Sequence, residues 1–181
     1  MSRDGRSARR GVPAGWCVLL TERIAPRAIG WREWVGLPEL GIRTVKAKVD
    51  TGARSSAPHA FNVRTVTRRG KEYVQFKVHP RQRDTDHTVS AEAAVIDHRA
   101  VKSSTGERTI RPVIETLVEF QGEEWLIELT LVGRDEMGFR MLLGRQAIRG
   151  RYLVDAGRSF LGGRPKKRIA GTGKPRRKRP N

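Results

Sequence analysis

The sequence predicts an all-β protein, folded as a closed barrel or a sandwich with one short helix. Apolar and polar residues alternate with a period of two over most of residues 29–163. Glycine-containing turns separate the alternating segments, and only residues 146–150 show a helical pattern. Many short strands joined by such turns are typical of a barrel or a sandwich, because each apolar sheet face must be buried.

The strands follow from this alternation in chain order. The clearest is 42–50, where three apolar side chains face one way and three charged ones the other: Val45, Ala47 and Val49 against Lys46, Lys48 and Asp50. Gly70 predicts a hairpin, because glycine adopts the positive φ that a tight turn needs. The predicted strands are 29–37, 42–50, 63–66, 73–78, 88–96, 110–120, 125–132 and 152–154.

The length of 181 residues is enough for one domain with its own core. We expect a basic N-terminal extension at 1–28, a globular domain at 29–163 and a disordered tail at 164–181. The single cysteine, Cys17, cannot form an intramolecular disulfide, which favours the reducing cytoplasm. The apolar run at 16–20 is too short for a membrane span or a signal peptide, so we expect no membrane contact.

The net charge of +18 is concentrated in the tail. Residues 164–181 hold nine Lys or Arg and no acid, with almost no apolar side chains to offset the entropy of ordering. Such a tail either binds RNA or the ribosome weakly through phosphate contacts, or serves to keep the protein in solution. The sequence leaves both interpretations open.

Asp50 is the leading candidate for a functional side chain. It ends the alternating strand and enters a turn made by Thr51, Gly52 and Ala53. Asp-Thr-Gly alone is often only a turn, because aspartate commonly begins turns and glycine permits them. A second apolar segment about ninety residues later favours the functional interpretation: Leu142, Leu143, Gly144 and Arg145.

These segments resemble the bacterial family of retropepsin-like aspartic endopeptidases, also called ATP-dependent zinc proteases. The resemblance covers about 130 residues, from 29 to 161. It rests on GWREWV at 30–35, KAKVDTGARS at 46–55, SAPHA at 56–60, FKVHP at 76–80, ELTL at 128–131 and MGFRMLLGR at 137–145.

The resemblance implies a retropepsin-like, pepsin-type closed β-barrel that hydrolyses peptide bonds. Asp50 would be the catalytic carboxylate, Thr51 would brace its loop, and Gly52 would permit the turn. This chemistry uses two carboxylates that share one proton. With one Asp-Thr-Gly per chain, the second carboxylate would be Asp50 of another copy in a homodimer. Asp155, which ends the apolar run at 153–155, is the alternative within the same chain.

Other residues are expected to surround the substrate. Lys48, Ala53, Arg54 and His59 are predicted to bind it, and the basic side chains of Lys48, Arg54 and His59 favour an acidic peptide. A solvated strand face is the alternative interpretation of these side chains. Arg54 stands where the family carries an acidic residue, so Arg145 is expected to lack its usual partner, while the Leu-Leu-Gly-Arg segment supports the loop from beneath.

A flap over the cleft is the interpretation of the turn at Ser104, Thr105 and Gly106, because the family carries a flap at this place. An ordinary surface hairpin is the alternative. Both interpretations take residues 101–114 as a hairpin.

No metal or cofactor is expected. The four histidines form no His-Glu-x-x-His motif, and there is no pair of cysteines. No phosphate-cradling glycine loop is present either. Relatives that resemble this chain are often associated with ATP-grasp ligases that add glutamates, which explains the word ATP in the family name.

The sequence therefore predicts an aspartic-type peptidase that acts on peptides or proteins, including glutamate-rich tails. The first alternative is a non-catalytic β-barrel that binds RNA or the ribosome. The second alternative is a zinc-dependent hydrolase.

Overall fold

A computed structural model describes residues 27–82, 84, 86–102, 108–133 and 138–164. The flap candidate at Ser104, Thr105 and Gly106 lies outside the described residues, as do residues 1–26 and 165–181. No helix within the described ranges is both long enough and apolar enough to span a membrane.

Strands make up most of the described chain, as the alternation predicted. Within it, the one α-helix, α1, spans Arg145–Ile148, and a 3-10 turn spans Pro38–Leu40. The strands, β1 to β11 in chain order, are Arg27–Gly30, Arg32–Leu37, Ile42–Asp50, Ala57–Arg68, Lys71–Val78, Val89–Lys102, Arg108–Phe120, Glu123–Thr130, Val132–Gly133, Met141–Gly144 and Tyr152–Asp155.

The main sheet closes on itself, which confirms the predicted barrel. Its strand order is β10-β3-β2-β7-β6-β5-β4-β9, and β10 also pairs with β4. β10 therefore lies between β3 and β4, parallel to the first and antiparallel to the second. β8 pairs with β7, while β1 and β11 form a separate parallel pair. The insertion of β10 places a second strand directly beside the end of β3.

The interior of the barrel is apolar, and β3 shows how alternation builds it. Its inward side chains are buried in one cluster with residues from around the ring, which include Val45, Ala47, Val49, Phe76, Leu129 and Leu143. Each of the larger side chains, such as valine, leucine or phenylalanine, contributes about 1.5–3 kcal/mol when it is fully buried. The opposite face of β3 carries the predicted polar set, so the face assignment made from the sequence is confirmed.

The prediction of one strand over 29–37 is wrong, because the chain bends at Trp31 and forms two strands. β1 and β2 belong to different sheets. The Trp31 N–H donates to the Arg158 carbonyl at 3.0 Å, and the Trp31 carbonyl accepts from the Val49 N–H at 2.9 Å. These long-range bonds bend the backbone at Trp31. They could not be predicted from the local alternation of side chains, because their partners are distant in the sequence.

Glu33 fixes the same corner of the barrel from the inside. Its side chain is fully buried and accepts backbone N–H bonds from Gly30 and Leu161 at 2.8 Å and from Gly162 at 3.2 Å. A buried carboxylate is unfavourable unless hydrogen bonds replace its hydration. The three donors provide that replacement, and they hold the segment after β11 against β1 and β2.

Candidate functional site

Asp50 lies at the end of β3 and closes its own turn. Its Oδ1 accepts hydrogen bonds from the N–H groups of Gly52 and Ala53, both at 3.1 Å. The side chain is half-buried, and Oδ2 has no protein partner among the described residues. One carboxylate oxygen therefore shapes the turn, while the other can accept a bond from a ligand.

Gly144 brings β10 into direct contact with the loop that follows Asp50. The register pairs Gly144 with Asp50, and the Gly144 N–H donates to the buried Ser56 hydroxyl at 3.0 Å. A Cβ on Gly144 would lie 2.5 Å from the Ser55 carbonyl carbon and oxygen. Only glycine permits this approach. The neighbouring Leu143 is fully buried and Leu142 is half-buried, so the strand supports the turn from beneath.

Arg145 holds the outer side of the same turn. Its guanidinium donates to the Gly52 carbonyl at 2.9 Å, and its backbone N–H donates to the Ala53 carbonyl at 2.9 Å. Arg145 was expected to lack a carboxylate partner, because Arg54 stands at the position of the acid. It bonds to a backbone carbonyl of the turn instead. Gly144 and Arg145, the last two residues of the Leu-Leu-Gly-Arg segment, therefore both contact the loop that follows Asp50.

A second support comes from Arg99 on β6 and Glu128 on β8, which the sequence interpretation missed. Arg99 donates to Glu128 Oε1 at 3.1 Å and to the Ser55 hydroxyl at 3.3 Å. The hydrogen bond from Arg99 lowers the pKa of the Glu128 carboxyl, and the pKa of Arg99 is raised by the same bond. The ELTL segment contained Glu128, but nothing in the sequence identified its partner on another strand.

The predicted substrate-binding residues separate into two groups. Lys48 and Arg54 are exposed near Asp50, and Ala53 is half-buried in the turn, while Thr51 and Gly52 of the predicted catalytic loop are also exposed. His59 is only 6% exposed, and its Nδ1 lies 2.9 Å from a guanidinium nitrogen of Arg140. Because β4 turns this side chain inward, His59 does not share the exposed surface of Lys48 and Arg54.

Asp155 ends β11 opposite Gly30, in a turn of its own. Its Oδ1 accepts the N–H groups of Gly157 and Arg158 at 2.9 and 3.2 Å, and its Oδ2 accepts from the Arg158 side chain at 2.7 Å. The bond from Arg158 lowers the pKa of Asp155. Both oxygens of Asp155 accept hydrogen bonds within its own turn. These bonds account for an aspartate at this position without a catalytic role.

A metal site was not expected, and the described ranges contain no group of three His, Cys, Asp or Glu side chains placed to hold a metal ion. His79 instead stacks on Phe61 with 4.4 Å between ring centroids. Its Nδ1 also lies 3.1 Å from the Thr88 hydroxyl. His79 is therefore engaged in packing and hydrogen bonding beside β4 and β5.

A closed β-barrel with an Asp-Thr-Gly turn held by a Leu-Leu-Gly strand defines the retropepsin-like class of domain. The chain belongs to the RimB-like family, described as retropepsin-like aspartic endopeptidase RimB, whose sequence profile matches residues 28–165. The family resemblance found in the sequence is confirmed at this level. The zinc-protease name is not supported by these comparisons.

Curated relatives match about the same part of the chain and carry a different name. Proteins of Desulfotalea psychrophila and Shewanella pealeana, each named probable alpha-L-glutamate ligase, are 46% identical over 136 and 132 residues. A Parasynechococcus marenigrum protein of the same name is 44% identical over 127 residues. These matches cover 75%, 73% and 70% of this chain, but only 29%, 29% and 27% of the relatives.

The relatives overturn the expected activity. The prediction of an aspartic-type peptidase is wrong by this comparison, because the names of the relatives indicate a ligase and not a hydrolase. The matched segment of the chain spans less than a third of the length of these relatives. The family description identifies the fold and the turn, and it does not carry the activity.

A solved structure supports the fold. The crystal structure of a Legionella pneumophila protein of unknown function superimposes with a TM-score of 0.62 at 26% sequence identity. The match covers 75% of this chain and 98% of that chain. The barrel is therefore seen almost alone in that protein, without the additional length of the ligase relatives.

Proposed function

We propose that the chain functions in α-L-glutamate ligation, as the domain that holds the glutamate-bearing peptide. The observation that carries this proposal is the 44–46% identity with proteins named probable alpha-L-glutamate ligase. Because the matched part is less than a third of those proteins, we assign the joining reaction to the rest of the ligase. In this proposal the barrel binds the glutamate-bearing peptide.

The Asp50 turn has groups suited to an acidic peptide. Lys48 and Arg54 are exposed before and after the turn, and their charges attract glutamate carboxylates. Asp50 Oδ2 can accept a bond from a peptide N–H or from the ammonium group of glutamate. Since Gly144 and Arg145 hold the backbone of the turn, little conformational entropy is lost when a peptide binds.

A domain exchange tests the proposal. The matched segment of the Desulfotalea psychrophila relative is replaced by residues 28–165 of this chain, and glutamate incorporation is measured at varied concentrations of an acidic acceptor peptide. We expect Lys48→Gln with Arg54→Gln to raise the KM for the acceptor about tenfold and to leave kcat within about twofold. The reason is that two exposed charge pairs are lost while the joining chemistry is untouched.

The matched control is Lys71→Gln with Lys77→Gln, two exposed charges on β5. An acceptor KM that is unchanged in the Lys48 and Arg54 variant would contradict the proposal. The 181-residue chain alone, supplied with glutamate, ATP and peptide, is expected to incorporate no glutamate. Glutamate incorporation by the chain alone would show that this domain itself catalyses ligation, and it would contradict the assignment of the joining reaction to the rest of the ligase.

Three expectations remain predictions beside this proposal. They are a homodimer, a weak RNA or ribosome contact through the basic tail at 164–181, and a cytoplasmic location. Sedimentation of the full chain tests the first, and RNA binding with and without the tail tests the second. Cell fractionation tests the third.

A further inference from the structure

Cations and aromatic rings share the face of β2 and β3 that points away from the core. The register places Arg32 opposite Lys48 and Trp34 opposite Lys46, and residues paired in this way lie on one face of a sheet. Phe160 covers this face and stacks on Trp34 with 6.2 Å between ring centroids. We name as the cation–aromatic face the set Arg32, Trp34, Lys46, Lys48, Phe160 and Arg164.

Three positive charges surround the ring of Phe160. Arg32 Cζ, Lys46 Nζ and Arg164 Cζ lie 5.1, 5.6 and 5.8 Å from its centroid. Each contact contributes about 0.5–1 kcal/mol at an exposed site, but the gathered cations also repel one another. Among the described residues, none of the three forms an ion pair with a carboxylate. An anionic ligand would neutralise this charge.

Phe160 is held in this position at a conformational cost. Its φ is +60°, a left-handed value that bulky side chains rarely adopt. The Phe160 N–H donates to the Arg32 carbonyl at 2.9 Å, and the next two N–H groups donate to the buried Glu33 carboxylate. The fold therefore fixes the ring over the cations.

A groove of about 340 Å³ continues from the far end of this face. Trp34, Arg43 and Arg164 line it together with backbone of Gly162 and Gly163, and Glu119 is the one acid among its lining residues. The groove reaches Thr44, six residues before Asp50 on β3. At about 3.3 Å per residue, the distance from the Asp50 turn to the groove is about 20 Å.

We propose that the cation–aromatic face binds the continuation of the acidic peptide held at the Asp50 turn, so that the domain senses peptide length. This inference rests on the proposed function. In an extended peptide, every second side chain lies on the same side, about 6.7 Å apart, which is the spacing of Lys48 and Lys46 on β3. Successive glutamates on that side meet Lys48 with Arg32, then Lys46, then Arg164 at the groove.

The test uses the full chain and fluorescent oligo-α-glutamate peptides of two, four, six and eight residues, with anisotropy measured at low salt. An extended chain of about six residues spans the face. We expect the Kd to fall about tenfold between two and six residues, and to change less than about twofold between six and eight. A purely diffuse attraction would instead keep strengthening with every added charge, which would overturn the inference.

Two variants locate the effect. Lys46→Gln with Arg164→Gln is expected to reduce the length dependence to less than about twofold, since the charges met by the later glutamates are gone. Arg164→Gln alone changes an exposed side chain and should weaken only the longer peptides. The control Lys71→Gln with Lys77→Gln should keep the wild-type length dependence. Full length dependence in the Lys46 and Arg164 variant refutes the inference.

The experiment also separates this inference from the proposed function. If two-residue peptides bind equally to the wild type and to Lys48→Gln with Arg54→Gln, the Asp50 turn does not hold the peptide and the proposed function fails. If that variant weakens short peptides but length has no effect on the wild type, only the cation–aromatic face is refuted. Thermal unfolding of each variant verifies that the barrel is intact.

Discussion

Replacing Glu33 by glutamine removes the buried charge that holds the corner of the barrel. The carboxylate accepts three backbone hydrogen bonds, from Gly30, Leu161 and Gly162. A glutamine of the same shape keeps one acceptor oxygen and points an NH₂ group at a backbone N–H. Hydrogen bonds to a charged group are worth about 1.5–3 kcal/mol, so the loss of one bond and the clash of two donors should cost about 3–5 kcal/mol. Domains of this kind have about 5–15 kcal/mol in total.

Urea unfolding followed by circular dichroism measures this loss. We expect Glu33→Gln to lower the midpoint strongly with little change of the m-value, because the folded barrel still buries the same surface. The control is Glu119→Gln, an exposed carboxyl on β7, which should stay within about 0.5 kcal/mol of the wild type. A cost below about 1 kcal/mol for Glu33→Gln would refute the reasoning, since it would mean that the three bonds contribute little.

Two further predictions concern the supports of the Asp50 turn. Gly144→Ala should lower the free energy of unfolding by about 1–3 kcal/mol or more, because the new Cβ would lie 2.5 Å from the Ser55 carbonyl. The control is Gly138→Ala, whose Cβ would have no atom within 4 Å. Equal melting temperatures of the two variants would contradict the steric argument. The hydrogen bond from Arg99 lowers the pKa of Glu128 in the folded protein. The pair therefore stabilises the fold fully above the pKa of an unfolded glutamate, about 4.3. This stabilisation is lost as the pH falls through the lower pKa that Glu128 has in the folded protein. The stability lost in Glu128→Gln or Arg99→Met should therefore shrink below about pH 4, and a loss independent of pH would exclude this pair as its cause.

The alternation of β3 and the turn after it could be predicted from the sequence because both are local. Val45, Ala47 and Val49 recur at the strand period, and Asp50 bonds to N–H groups two and three residues later. A window of about ten residues contains all of these relations. Closure of the barrel was also predictable as a class, because many alternating strands must bury their apolar faces together.

The supports of the turn could not be predicted, because their partners come from distant strands. Arg145 was expected to lack a partner, yet a backbone carbonyl of the turn accepts its bond. Arg99 and Glu128 lie on β6 and β8 and meet only in the folded barrel. The inward position of His59 likewise depends on how β4 pairs, and not on the residues beside it.

The activity was mispredicted for a different reason. Asp-Thr-Gly with a supporting Leu-Leu-Gly strand specifies a loop geometry, and the same geometry can belong to domains with different activities. The sequence therefore identified the fold and the family correctly. The relatives are more than three times as long as the matched segment, and their names indicate a ligase, which contradicts peptide hydrolysis.

The position of β10 between β3 and β4 also sets an order of events during synthesis. Arg145 follows Gly52 by 93 residues, and at about 5–20 residues per second this interval lasts roughly 5–20 s. Until β10 emerges, β3 and β4 lack the strand that joins them, and the carbonyl of Gly52 lacks its guanidinium donor. A nascent chain that stops before Met141 thus carries the whole Asp-Thr-Gly sequence without the strand and the arginine that fix the turn.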